Sequence, residues 1–155
     1  MEALILHNIR SAHNVGSLFR TADAVGVKHI YLSGITPAPK DRFGRDDQKI
    51  SKVALGAEKT VSWERKEVAE VIKLLKEKKI PLIALEQTPE AHSVFSYAAP
   101  ERFALVVGEE RGGVSEEILK EVNDTVYIPM YGTKDSLNVS VATGIALYAL
   151  REVSR

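Results

Sequence analysis

The six residues FALVVG, Phe103 to Gly108, contain no polar side chain. A run this short cannot cross a bilayer. Its unbroken apolar character marks a strand buried on both faces, as in parallel sheets covered by helices. The rest of the chain keeps the same rhythm. ALILHN from Ala3 to Asn8, KHIYLSG ending in Ser33-Gly34, IPLIAL ending at Leu85, and TVYI from Thr125 to Ile128 read as strands, with one more at Thr60 to Trp63. Val15, Leu18, Phe19, Ala22 and Val25 recur at helical spacing from about Asn14, and Gly26 is a natural stop. Lys66 to Lys79 reads as an amphipathic helix with Val68, Val71, Ile72 and Leu75 on one face. SVFSY reads as a helical turn, and Ser115 as the cap of a helix whose first turn carries Glu116 and Glu117. Val139, Ala142, Ala146, Ala149 and Val153 mark the final helix. Strands alternating with helices predict a single α/β domain with a mainly parallel sheet and flanking helices.

Composition narrows the chemistry. The 155 residues include 21 basic and 21 acidic side chains, so no global field attracts a polyanion and any nucleic-acid contact needs a local basic patch. With no cysteine there are no disulfides, thiolate nucleophiles or Cys-based zinc sites. The four histidines, His7, His13, His29 and His92, have no metal-ligand spacing, and no metal is expected. There is no basic leader and no membrane-spanning run, so a cytoplasmic protein is expected, without a membrane partner. The stretch ITPAPKDRFGRDDQK, rich in Pro, Gly and mixed charge, is a long loop of the kind that is usually functional or disordered. Its Lys40, Arg42, Arg45 and Lys49, with Lys52 beyond, read either as an RNA-facing patch or as a solvated face balanced by Asp41, Asp46 and Asp47.

In open α/β sheets, ligands gather outside the carboxyl ends of the strands, here after Leu85, Gly108 and Ile128. The first strand is followed by NIRSAHNVG, neither a dinucleotide fingerprint nor a P-loop. The last strand is followed by IPMYGTKDSLNVSVATG, where Ser136, Asn138 and Ser140 crowd a helix entrance. Those groups suit a helix cap, a ligand wall, or both.

Three blocks together carry a family resemblance. The first is Asn14-x-Gly16-x-x-x-Arg20-x-Ala22, and the second Gly108-x-Glu110-x-x-Gly113. The third is Ile128-Pro129-Met130-x-Gly132 with Ser136-Leu137-Asn138-Val139-Ser140. In this order they resemble the three motifs of the SpoU (TrmH-like) branch of the SPOUT RNA methyltransferases, most closely the small single-domain type. Some members of that type modify the tRNA wobble position. The resemblance spans nearly the whole chain. It implies a carboxyl-terminal deep trefoil knot, a homodimer with shared active sites, and S-adenosylmethionine (AdoMet) as methyl donor to an RNA ribose 2′-hydroxyl of tRNA or rRNA. As a departure from the family, a catalytic domain with no separate RNA-binding extension is expected. The implied catalytic residues are Arg20, Asn14, Glu110, Ser136 and Asn138. The implied cofactor contacts are Leu85, Gly108, Glu109, Gly113, Ile128, Met130, Ser136 and Leu137.

The family is often described with this Arg as the base. A guanidinium stays protonated, so Arg20 is better suited to holding phosphate and stabilising a developing alkoxide. Asn14 would orient Arg20 or the ribose, or simply cap its helix, and Glu110 would hold Arg20 or Asn14. Gly108 and Gly113 would let the backbone approach the cofactor, and Gly144 with Ala142 and Ala146 would give a small face for dimer packing. Two other readings stay open: a base-nitrogen methyltransferase of the same class, and a non-catalytic RNA-binding module.

Overall fold

The computed structural model describes residues 1–153. Its strands are β1 (Ala3–His7), β2 (His29–Ser33), β3 (Ser62–Arg65), β4 (Leu82–Leu85), β5 (His92–Ser93), β6 (Ala104–Val107) and β7 (Asp124–Tyr127). The helices are α1 (Ala12–Val25), α2 (Gln48–Ala54), α3 (Ala57–Thr60), α4 (Val68–Glu77), α5 (Glu116–Leu119) and α6 (Val139–Val153). All strand pairs are parallel, in the order β3-β2-β1-β6-β4-β7-β5.

The apolar runs occupy the middle of this sheet because both of their faces are covered. Leu4, Leu6, Leu105 and Val107 pack with Leu18 and Phe19 of α1 and Leu147 and Leu150 of α6. The alternate residues Ala3, Ile5, Ala104 and Val106 pack with Val71, Ile72 and Leu75 of α4 and Ile118 of α5. Period-two alternation therefore feeds two cores, one on each side.

Several boundaries differ from the sequence-based expectation. α1 begins at Ala12, because the Ser11 side chain accepts the Asn14 N–H and caps the helix; Asn14 lies inside the first turn and is not the cap. Gly26 closes it at φ 80°. The expected strand at Thr60 to Trp63 shifts to β3, since Thr60 still belongs to α3 and its hydroxyl donates to Asp23. SVFSY is not simply a helical turn: Ser93, with His92, extends the sheet beside β7, and the turn follows, with Ser96 and Tyr97 N–H groups on the Ser93 carbonyl. α4 is shorter than Lys66 to Lys79, running from Val68 to Glu77. α6 buries Thr143, Ala146, Leu147 and Leu150, whereas Val153 stays exposed. The stripe is rotated because α6 packs along α1.

The active end of the sheet depends on one close helix contact. A Cβ on Gly16 would lie 2.7 Å from the Ile50 carbonyl oxygen and 2.9 Å from Val53 Cβ. The glycine thus lets α2 lie directly against α1. Among the described residues no helix is long and apolar enough to cross a membrane.

Candidate active site

Three motifs far apart in sequence meet at the amino end of α1. Asn14, 7% exposed, donates through Nδ2 to Glu110 Oε1 at 3.3 Å. Its Oδ1 accepts from Asn138 Nδ2 at 3.2 Å. Glu110 also accepts the backbone N–H groups of Arg10 and Ser11, both at 3.4 Å. Burial pushes the Glu110 carboxyl up. Hydrogen bonds from its own backbone, the Asn14 amide, and the Arg10 and Ser11 N–H groups outweigh that and hold it below the usual carboxylate range. The ionised carboxylate also lies at the positive end of the α1 dipole. Asn138 Oδ1 accepts the N–H groups of Ser140 and Val141, so this amide caps α6 and ties it to Asn14 at once. The crowd of polar groups at the helix entrance is both a cap and a joint.

Arg20 stands apart from this joint. Its exposed side chain makes no hydrogen bond or ion pair with any described residue, so Glu110 holds Asn14 and does not hold Arg20. Arg20 lines a neighbouring cleft with Arg10, His13, Lys49 and Lys52, and no Asp or Glu is among the lining residues. That cleft and the one formed by Asn14, Glu109, Glu110 and Arg111 share Arg10 and Ser11. The cation cluster and the carboxamide joint are therefore adjacent.

A third cleft collects Leu85, Ile128, Met130, Ser136 and Leu137, five of the residues expected at the cofactor. They come from the carboxyl end of β4 and the loop beyond β7, as the strand-end rule requires. Ala142 of α6, Gln87, Tyr127 and the carboxylates Glu86 and Asp135 complete the lining. Ser136 and Leu137 are exposed.

The motif glycines have a nearer cause than cofactor approach. A Cβ on Gly108 would lie 2.0 Å from the Gly113 carbonyl oxygen, because the loop after β6 folds back and bridges Glu109 with Gly113. Gly113 has φ 64°, and a Cβ there would meet Glu86 Oε2 at 2.0 Å. That same oxygen accepts the Val114 N–H at 2.8 Å. Glu86 thus fastens the loop after β4 to the loop after β6. Sequence reasoning missed Glu86 and the backbone of Arg10 and Ser11; only the positive-φ glycine facing Glu86 hints at it.

The long loop also departs from a simple cationic patch. Lys40 is paired with Asp46 at 2.6 Å and Arg45 with Asp41 at 2.7 Å. The small face expected around Gly144 is split: Ala146 is fully buried and Ala142 lines the third cleft, whereas Gly144 lies with Ser17, Thr21, Val141, Ile145 and Tyr148 on the outer side. Among the described residues no group of three or more His, Cys, Asp or Glu could hold a metal ion.

Comparison with known proteins agrees with this geometry. The model of the SpoU rRNA Methylase family matches residues 1–148. The 23S rRNA (guanosine-2′-O-)-methyltransferase RlmB of Salmonella typhi is 35% identical over 146 residues, covering 94% of this chain and 57% of the relative. The chain thus spans little more than half the length of that curated relative. A solved AdoMet-bound rRNA methyltransferase from Sinorhizobium meliloti superposes with a TM-score of 0.86 at 25% identity, over 97% of this chain and 56% of that one. A structure solved for the 2-OH methylation of C/U34 on tRNA gives 0.82 at 26% identity, over 99% of this chain and 95% of that one. With its three motifs meeting at one end of a parallel sheet, the chain belongs to the SpoU rRNA methylase family.

Proposed function

We propose that this chain transfers a methyl group from AdoMet to a ribose 2′-hydroxyl of tRNA or rRNA. The observation that carries the reading is the joint in which Asn14 bonds both Glu110 and Asn138, because it brings all three motifs to one place. The third cleft suits the cofactor chemically. Half-buried Leu85, Ile128 and Met130 offer apolar walls to a flat base, and Glu86 and Asp135 offer negative charge to a cationic ligand. When bound, AdoMet supplies an already activated methyl on a positive sulfur, so neither a metal nor a covalent enzyme intermediate is needed. Leu85, Ile128, Met130 and Leu137 hold it, with the Gly108–Gly113 loop and Glu109 framing one side.

The other residues prepare the acceptor. Arg20, with Arg10, Lys49 and Lys52, holds phosphate beside the reacting ribose, and its guanidinium stabilises the alkoxide that develops as the 2′-hydroxyl releases its proton to solvent. Ser136, exposed and with no side-chain partner among the described residues, hydrogen-bonds the ribose. Asn14, Glu110 and Asn138 position these groups by locking α1 to the loop after β6 and to α6. The neighbour spanned almost end to end concerns tRNA, which makes tRNA the first substrate to test. The reading includes the trefoil arrangement of the segment from β4 to α6, in keeping with the sheet order and the resemblance.

The direct test combines calorimetric titration of EDTA-treated protein with AdoMet and mass spectrometry of nucleosides from tRNA and rRNA incubated with both. Binding without metal and a 2′-O-methylated nucleoside are expected. A methyl on a base nitrogen, or binding only after a divalent ion is added, overturns the corresponding part of the reading.

The same reading makes the chain a homodimer through α1 and α6. Val141 and Tyr148 are 51% and 49% exposed, and the neighbouring Gly144 leaves ordinary contact distance to Thr21. Light scattering at micromolar concentration is expected to give twice the chain mass. A fully active monomer would remove the shared-site argument.

A further inference from the structure

We propose that Phe43 is a stacking platform for an unpaired base of the RNA, carried on a loop built to present it. This deepens the RNA reading above and rests on it. The ring is 67% exposed, although a free phenylalanine side chain ordinarily gains by burial. Its loop is nevertheless closed by its own hydrogen bonds and an ion pair. Asp41 Oδ1 accepts the N–H groups of Phe43 at 2.8 Å and of Arg45 at 3.0 Å. The Asp41 carbonyl accepts the Gly44 N–H, the Asp41 N–H reaches the Arg45 carbonyl, and the Lys40–Asp46 pair closes the base. Gly44, at φ 77°, takes the left-handed turn at the tip. None of these bonds uses the Phe43 side chain. The loop holds the ring out; the ring does not hold the loop.

Two guanidinium groups accompany it, Arg42 at 4.7 Å and Arg45 at 5.1 Å from the ring centroid. A ring flanked by two cations suits a flat base joined to phosphates better than it suits an apolar protein surface. The loop is also fused to the basic cleft. Asp47, next in the chain, caps α2 by accepting the N–H groups of Lys49 and Ile50, and Lys49 and Lys52 of that helix line the cleft with Arg20. An exposed aromatic beside a cationic groove is the combination that binds single-stranded nucleic acid, with stacking on the ring and phosphates on the groove. Duplex RNA keeps its base faces stacked and offers nothing to such a ring. Lys40 and Arg45, bound to Asp46 and Asp41, also brace the loop, and the cations for phosphate are those of the cleft. The loop's task is to place a base.

The test is titration of labelled single-stranded RNA and of a duplex of the same sequence, over a range of salt, with the wild type and Phe43→Ala, Phe43→Leu and Phe43→Trp. Phe43→Ala and Phe43→Leu are expected to weaken single-strand binding about five- to hundredfold, as loss of one stacked base does, with the salt slope unchanged. Phe43→Trp is expected to bind at least as well as wild type, with tryptophan fluorescence quenched by RNA but not by an oligonucleotide abasic at the stacked position. Lys49→Ala with Lys52→Ala is expected to flatten the salt slope instead. Wild-type affinity in Phe43→Ala, a Leu variant as good as wild type, or a changed oligomeric state with unchanged RNA affinity overturns the stacking role alone. A wild-type chain that binds no RNA overturns both this role and the reading on which it rests.

Discussion

Arg20→Ala is expected to lower methyl transfer by about 10²–10³-fold while leaving AdoMet affinity near that of the wild type. The separation follows from where Arg20 stands. It shares a cleft with Arg10, Lys49 and Lys52, and five of the residues assigned to the cofactor line a different cleft. Its side chain has no partner among the described residues to strand when removed, so the fold has no reason to suffer. Arg20→Lys keeps the charge but loses the planar two-pronged donor, and is expected to recover only part of the rate. Single-turnover methylation beside AdoMet titration checks both statements. Transfer at the wild-type rate in Arg20→Ala removes the catalytic assignment. Loss of AdoMet binding in a folded variant moves Arg20 to the cofactor.

Gly108→Val is expected to abolish AdoMet binding and transfer together and to lower the melting temperature. The cause lies in the loop before it lies in the cofactor. A Cβ at Gly108 would sit 2.0 Å from the Gly113 oxygen, 2.2 Å from its carbonyl carbon and 2.5 Å from the Val114 nitrogen. Those atoms are backbone and cannot swing aside, so the loop after β6 must move. It carries Glu110 away from Asn14 and Val114 away from Glu86. Overpacking of this kind costs about 1–3 kcal/mol in stability. Because the first carbon already collides, Gly108→Ala is expected to behave like Gly108→Val. Gly132→Ala, with nothing within 4 Å of its added carbon, serves as the tolerant control. Calorimetric melting and AdoMet titration decide it. A Gly108→Ala protein with wild-type melting and affinity would show that the loop does not need the glycine.

The two variants read different layers of the molecule. Arg20 was recognisable from its motif, but its distance from Glu110 was not. A motif places residues along a chain, and whether their side chains meet depends on which strands lie side by side. Asn14 and Glu110 are 96 positions apart, and Asn138 is 124 from Asn14; both contacts exist because β6 lies against β1 and α6 packs on α1. The long loop shows the same limit. Its composition left an RNA patch and a solvated face equally open, and only the Asp41 and Lys40–Asp46 bonds separate structural cations from free ones.

By itself, the sequence determined the elements whose signals are local. The apolar run of β6, the amphipathic face of α4, the Gly26 stop and the Ser115 cap all depend on residues within a few positions of one another, a range over which side-chain periodicity and capping chemistry operate. The tertiary structure alone decided the rest: the two-residue β5, too short to carry any period; the rotated buried stripe of α6; the fastening of two loops by Glu86; and the setting of Arg20 beside Lys49 and Lys52. Each of those is made by a partner from a distant segment, and no local pattern encodes which distant segment will arrive.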